Sequence, residues 1–363
     1  MRLLEGLVFA SGRRLYARVE FDALVRAIVP LGSSSHPVRH ILPGFVDLHV
    51  HGGGGADVMG GEAALRQVAR FHAQHGTTAL LATTATAPWE DLEAALLGVR
   101  AVMQDPRPGE ARVVGVHLEG PFIHPERLGA QPPYPRLPDL GWMERLLALA
   151  PIRVVTLAPE LPGALELIAF LRARGVRVQQ GHTRATYEEA RAALEAGAEG
   201  FTHLFNAMSP LHHRAPGVVG LALERGLWAE VIPDGLHLHP AVLRLLARAL
   251  PQVYAVTDAV AAAGMPEGEY RLGRLRVVRR AEGVFLPDGT LAGSTLTQHQ
   301  ALRNLLRWGF PLEEAVAMTA LRPARYLGLA EGLAVGGPAD MLVLGENFDL
   351  EEVYIAGRPV LRA

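Results

Sequence analysis

Residues 45–82 read FVDLHVHGGGGADVMGGEAALRQVARFHAQHGTTALLA, and their pattern decides the fold. Phe45–Val50 is a short, largely apolar run, Glu62–Gln74 carries apolar residues at helical spacing, and Thr78–Ala82 is a second strand-like run. Gly76 follows the periodic residues directly, where a glycine takes the left-handed conformation that ends a helix. Strand, helix and strand in that order make a βα unit with parallel strands. The alternation continues down the chain. Further strand candidates are Val113–Leu118, Val154–Leu157, Val176–Gln180, Gly200–His203, Trp228–Ile232 and Val253–Val256. Between them lie helix candidates Leu92–Met103, Ala164–Arg174, Tyr187–Ala196 and Ala241–Leu250, with Gly175 and Gly197 as further stops. About eight such units in a row predict an α/β fold, a parallel (β/α)8 TIM-like barrel, which is filled with side chains and carries chemistry at the C-terminal rim of its strands.

The barrel accounts for residues 43–332. The two ends, 1–42 and 333–363, hold short strand-like pieces such as Leu15–Glu20, Met341–Leu344 and Val353–Ile355, expected to pair into a small β-sandwich domain beside the barrel. Residues 267–292 alternate around Gly273 and Gly283 and read as a hairpin insertion or as part of that β-domain. Beyond the βα alternation there is no internal repeat and no low-complexity linker.

Composition narrows the function classes. A chain of 363 residues, 49% hydrophobic and 20% charged, suits one barrel of roughly 250 residues with about 100 more beside it. A net charge of −2 and a pI near 6.7 give no general attraction to nucleic acid or to an anionic membrane, so an anionic substrate needs a local site. The absence of cysteine excludes disulfides, thiolate ligands and a cysteine nucleophile. No leader-like segment follows Met1 and no apolar run reaches the roughly 20 residues of a membrane span, so the cytoplasm is the expected location. Lysine is absent too, and asparagine occurs only at positions 206, 304 and 347. Few amides, no cysteine and 26 prolines suit a thermophile, although genome base composition produces the same bias.

His49 and His51 end the first strand two residues apart, so both imidazoles share one face. Glu119 ends the third strand, His182 the fifth, His203 the sixth and Asp258 the eighth. Each alone reads more simply as a cap or a hydrogen-bonded histidine. Together they ring one rim with nitrogen and oxygen donors of the kind that hold a divalent metal, which brings the pKa of water towards neutrality. Many barrel hydrolases of this layout bridge two metals through a carboxylated lysine. With no lysine that bridge is impossible, and Glu119 is the carboxylate placed to substitute. His72 and His75 lie on a helix and read as surface or packing residues; His124, His239 and His299 suggest no role, with His299 near the rim. The Gly52–Gly55 run lacks the Gly-Lys-Ser/Thr element of a phosphate loop and reads as a tight passage beside the histidines.

These segments carry a family resemblance. Residues 43–52 (PGFVDLHVHG), 117–122 (HLEGPF), 181–183 (GHT), 202–208 (THLFNAM), 234–237 (DGLH), 256–259 (VTDA) and 291–294 (LAGS), in that order, resemble the N-acetylglucosamine-6-phosphate deacetylases of the amidohydrolase superfamily. The resemblance implies that Glu119, His182 and His203 hold the principal metal, that Asp258 is the catalytic acid and base, and that His237 contacts the substrate carbonyl. Zinc or iron is the metal it implies, one or two ions per subunit, with His49, His51 and Asp258 available for a second. Asn206 and the backbone of Ala207 match residues that bind the sugar phosphate. Arg214 matches a phosphate-binding arginine that reaches a neighbouring subunit, which implies a homodimer. Two departures stand out: some members lack the HxH pair present here, and Gln131 stands where some relatives carry histidine.

The implied reaction is attack of metal-activated water on the acetamide, giving glucosamine 6-phosphate and acetate in amino sugar recycling. The residues leave three alternatives open: deacetylation of another N-acetylhexosamine 6-phosphate such as the galacto epimer, a different amidohydrolase acting on a cyclic amide or aminated base, and a metal-free sugar-phosphate sensor. For His237 the competing reading is a cap on the helix that begins near Pro240, and for Arg214 a solvated surface side chain.

Overall fold

Along the third barrel strand, Val116 and Leu118 join a large apolar cluster with Leu92, Leu96, Val99 and Leu146 of the surrounding helices, while His117 and Glu119 alternate to the barrel interior. The period-two division recurs on neighbouring strands, where Leu80, Ala82, Val155 and Leu157 join the same cluster while Leu81 and Val154 on the alternate face belong to a second apolar cluster. The computed structural model describes residues 1–10, 12–32 and 39–360. The barrel strands are β1 (Phe45–Val50), β2 (Thr77–Thr84), β3 (Arg112–Glu119), β4 (Ile152–Leu157), β5 (Arg177–Gln180), β6 (Gly200–Phe201), β7 (Trp228–Val231) and β8 (Val253–Ala255). Each lies parallel to its neighbour in sequence, in the order β8-β7-β6-β5-β4-β3-β2-β1.

Closure between β1 and the segment after β8 takes place at the C-terminal rim. Val50 bridges Ala259 in parallel, Asp258 N donates to His49 O at 2.9 Å, and His51 N donates to Ala259 O at 2.9 Å. Below them Thr257 Oγ1 donates to the buried Asp47 carboxylate at 2.7 Å, and Thr257 N donates to it at 3.2 Å. Ala259 also bridges Ser294 in parallel, so the 291–294 segment passes beside the rim at that point. Gly52 is required here: a Cβ on it would lie 2.5 Å from Ala56 O and 2.6 Å from Ala261 N. The glycine run is thus a tight passage, as its sequence suggests.

Both chain ends enter one seven-stranded sheet. Its order is 358–359, 350–355, 341–344, 40–43, 2–10, 13–21 and 25–30. Val8, Val19, Phe21, Ile41, Met341 and Val343 form its apolar core. Of the segments assigned from sequence to this region, residues 11, 33–38 and 361–363 lie outside the described residues. Strands 268–272, 275–279 and 284–285 form a separate three-stranded sheet, packing Leu272, Val277 and Val284 on Ala85, Val260 and Ala292 beside the barrel rim. They behave as an insertion over the rim and pair with no strand of the seven-stranded sheet. No described helix is long and apolar enough to cross a membrane.

His72, on helix Glu62–Gln74, is fully buried and donates from Nε2 to Gly52 O at 2.9 Å, tying the helix to the glycine passage. Burial pushes its pKa down to about 4. The unfolded chain binds this proton below about pH 6.5 and the folded chain does not. Stability is therefore complete above that pH and falls as pH drops towards 4, by at most about 3 kcal/mol from this residue. Denaturant unfolding of wild type and His72→Gln between pH 7 and 4.5 should show a shallower decline in the variant. Equal slopes would exclude His72 as the source.

Candidate metal centre and active site

The polar residues predicted at the strand ends converge. Glu119 ends β3, while His182, His203 and Asp258 lie just beyond β5, β6 and β8 with φ of 49°, 29° and 50°. Such left-handed backbone costs a non-glycine residue on the order of 1–3 kcal/mol and persists only where surroundings impose it. Here they do: His203 N donates to Glu230 at 3.3 Å, His182 Nδ1 donates to Arg127 O at 2.8 Å, and Asp258 N is held by His49 O.

Glu119 stands between two groups of ligand atoms. Its Oε1 lies 3.0 Å from both His182 Nε2 and His203 Nε2, which are 3.1 Å apart. Its Oε2 lies 3.0 Å from His51 Nε2 and 3.4 Å from His49 Nε2. Asp258 Oδ1 closes the second group at 3.3 Å from His51 and 3.5 Å from His49. In each group, Glu119/His182/His203 and His49/His51/Asp258, the ligand atoms lie within 4.8 Å of one another. Imidazole nitrogens 3.1–3.2 Å apart converge on the same space, and with carboxylate oxygens they form a donor set suited to a divalent cation once the imidazoles are unprotonated. The chemistry of the donors fits such an ion.

A third group, His49, His117 and Glu230, lies deeper and is completely buried. Its atoms are committed to one another and to the barrel. Glu230 Oε2 holds His49 Nδ1 at 2.9 Å, which turns Nε2 towards Glu119 and Asp258. Hydrogen bonds of 2.7–3.3 Å link His117, Thr156, Thr202, Gln179 and Tyr254 back to Glu230. Sequence reasoning missed Glu230. The available signal was a lone acid on the inward side of the otherwise apolar β7, since a buried carboxylate needs a partner.

The charges reinforce this arrangement. Burial opposes charge on His49, yet Glu119, Glu230 and Asp258 hold its pKa well above the usual range. Against the same penalty, Asp258 and Glu119 raise His51 to about 9. Burial alone would raise Glu119; His49, His182 and His203 hold it well below. A cation bound among these atoms would displace the imidazole protons, so its affinity would fall with pH.

A cavity of about 310 Å³ opens over the cluster, lined in part by His237, Asn206, Ala207 and Gln131. Asp234 Oδ2 anchors His237 Nδ1 at 2.6 Å, and Asp234 Oδ1 accepts from His237 N at 2.9 Å. Burial works against charge on His237, but Asp234, with Asp258 added, raises its pKa. The capping role belongs to His239, whose Nδ1 accepts from Ala241 N at 3.2 Å at the start of helix Pro240–Ala249. Gln131 is committed at both amide ends: Nε2 donates to Glu119, and Oε1 accepts from Thr86 N at 2.7 Å. Arg214 is exposed, packs its guanidinium against His213 at 2.9 Å, and does not line the cavity of its own chain. His75, His124 and His299 make local or distant backbone contacts, His299 with Phe348 O, and none lines the cavity.

Comparison with known proteins adds the decisive observation: the model of the amidohydrolase family matches residues 40–360. The chain belongs to the amidohydrolase family. An N-acetylgalactosamine-6-phosphate deacetylase of Escherichia coli O157:H7 is 38% identical over 349 residues, 93% of this chain and 92% of that protein. An N-acetylglucosamine-6-phosphate deacetylase of Vibrio furnissii is 39% identical over 345 residues, 92% of this chain and 85% of that protein. Among solved structures, a mutant N-acetyl-D-glucosamine-6-phosphate deacetylase from Mycobacterium smegmatis in complex with N-acetyl-D-glucosamine-6-phosphate matches with a TM-score of 0.91 at 37% identity, covering 99% of each chain. Amidohydrolases typically depend on a divalent metal, and this amidohydrolase assembles candidate ligand groups where one would sit.

Proposed function

We propose that this amidohydrolase hydrolyses the acetamide of N-acetyl-D-glucosamine 6-phosphate to D-glucosamine 6-phosphate and acetate. The observation that carries the reading is Glu119 set between two nitrogen/oxygen groups, with Asp258 and His237 on the same small cavity. The similarity to deacetylases of sugar phosphates supports the substrate class. Glu119, His182 and His203 would hold the principal divalent ion, zinc or iron, and His49, His51 and Asp258 a second; such an ion acidifies water and polarises the amide carbonyl. Asp258, a carboxylate beside the ligand groups, takes the proton of the attacking water. It then delivers that proton to the sugar nitrogen, so the amine leaves neutral with acetic acid, whose remaining proton passes to solvent or to the amine to give acetate. His237, fixed by Asp234, donates to the carbonyl oxygen as negative charge develops there. Gln131 donates to Glu119 Oε2, the oxygen that faces His51, and keeps its second amide hydrogen for a sugar hydroxyl.

Asn206 and the Ala207 backbone receive the sugar phosphate, in a turn where Phe205 and Ala207 have φ of 82° and 50°. Arg214, turned out from its own cavity, serves the neighbouring site in a homodimer. Arg214→Ala is expected to raise KM for the phosphorylated sugar roughly 10- to 100-fold, the worth of a charge-assisted hydrogen bond, with little effect on the unphosphorylated one. An equal effect on both would count against a phosphate contact, and a monomer in sedimentation would count against one across subunits.

One relative favours a second reading, the galacto epimer, since the Escherichia coli protein matches over nearly its whole length. Acetate release from the two N-acetylhexosamine 6-phosphates, compared side by side, decides between them. A higher kcat/KM for the gluco epimer is expected, and a clear preference for the galacto epimer would replace the substrate named here.

A further inference from the structure

Among the described residues, one cation on the wall of the cavity enters no ion pair and has a buried donor without a hydrogen-bond partner. Arg127 lies in the 124–131 segment that crosses from β3 towards Asn206 and Ala207, and it lines the cavity beside His182. Its backbone is fully used: N donates to His124 O at 2.9 Å and O accepts from His182 Nδ1 at 2.8 Å. His124 N in turn donates to His182 O at 2.9 Å, so the segment is fastened to the ligand cluster. The guanidinium is different. Arg127 Nε is shielded from solvent without a hydrogen-bond partner, and among the described residues the side chain enters no ion pair.

The acids nearby are already engaged. Glu126, its neighbour in sequence and on the cavity wall, pairs with Arg184, Glu119 with the histidines and Gln131, and Asp258 with His49 and His51. A buried donor on a permanent cation is rarely left unmatched, and the planar fork of arginine suits an oxyanion with two or more oxygens. The segment also comes close to the turn proposed for the phosphate. A Cβ placed on Gly129 would lie 3.8 Å from Ala207 Cβ and 3.8 Å from His182 Cε1.

We propose that Arg127 binds the substrate phosphate within its own subunit, opposite the contribution of Arg214 from the neighbouring one. The inference rests on the sugar-phosphate reading above. It assigns the dianion two guanidinium groups from two chains. It also couples the anion to the metal cluster, because the residue that takes the phosphate fixes His182 through its carbonyl.

The test uses full-length, metal-loaded wild type, Arg127→Gln and Arg127→Lys, assayed on phosphorylated and unphosphorylated N-acetylglucosamine, with inorganic phosphate as a competitive inhibitor and metal content measured on each protein. Arg127→Gln should raise KM for the phosphate ester and Ki for inorganic phosphate together, by roughly 10- to 100-fold, with Arg127→Lys between it and wild type. The unphosphorylated sugar should change by far less, at the same metal content. Equal losses on both sugars, or an unchanged Ki, would overturn the assignment. If Arg127→Gln loses metal or does not fold, Arg127→Lys decides alone: a Ki equal to that of wild type refutes a two-oxygen contact. Should wild type show no preference for the phosphate ester, the substrate reading fails by itself, and the Ki comparison still determines whether Arg127 holds an oxyanion.

Discussion

Asp258→Asn is expected to lower kcat by roughly 10²–10⁴-fold while the protein keeps its metal. The two side chains have nearly the same shape, and the amide oxygen can still face His51 and His49 from the place Asp258 Oδ1 occupies, 3.3 and 3.5 Å away. What asparagine lacks is the ability to take a proton. Burial alone would raise the Asp258 pKa, but the positive charge on His49 and His51 lowers it to about 2. A divalent ion that displaced the imidazole protons would set positive charge in the same place, so the group stays a carboxylate in the neutral range, as acceptance of a proton from water requires. Its backbone, at φ 50° and tied to His49 O and Ser294 N, fixes the direction in which it does so. Elemental analysis and steady-state kinetics on the same preparation check the result. Activity within tenfold of wild type would remove Asp258 from the proton-transfer role.

Glu119→Gln is expected to cost at least about 10³-fold in activity for a different reason, loss of the ion itself, which supplies several kcal/mol of charge stabilisation. Glu119 offers one oxygen to His182 and His203 and the other to His49 and His51, so an amide must turn an NH2 group towards one of the two sets. That group donates where a lone pair is needed. Metal per subunit should fall on elemental analysis, and added metal should restore activity only in part. Replacing His49 and His51 together should instead remove a second ion and leave the one at Glu119, His182 and His203. A full complement of metal in Glu119→Gln would show that the carboxylate does not hold the ion, and an unchanged count in the double variant would eliminate the second site.

The sequence displayed the barrel because local periodicity and barrel topology agree. Glu62–Gln74 and Tyr187–Ala196 have the helical limits their apolar spacing predicts, and Gly197 ends the latter with φ 121°. Agreement weakens where backbone serves the site. The strand expected over Gly200–His203 stops at Phe201, because His203 leaves the sheet at φ 29° to aim its ring at Glu119. Strand Arg2–Ala10 is not evident from sequence: Gly6 interrupts it and its partners at 13–21 and 40–43 belong to the tertiary fold. The same limit hid Glu230 and Arg127. Their importance depends on which atoms stand opposite, His49 Nδ1 for one and a polar cavity for the other, and spacing along the chain carries no such information. His237 and His239 show the distinction at close range, since two histidines two residues apart divide into a cavity group held by Asp234 and a helix cap.

The most direct measurement is acetate release from N-acetylglucosamine 6-phosphate by metal-reconstituted protein, run beside unphosphorylated N-acetylglucosamine and beside protein stripped by a chelator. Rapid release that requires both the phosphate and the metal is the predicted result. Release that is equal for the two sugars, or that survives removal of the metal, would contradict the account.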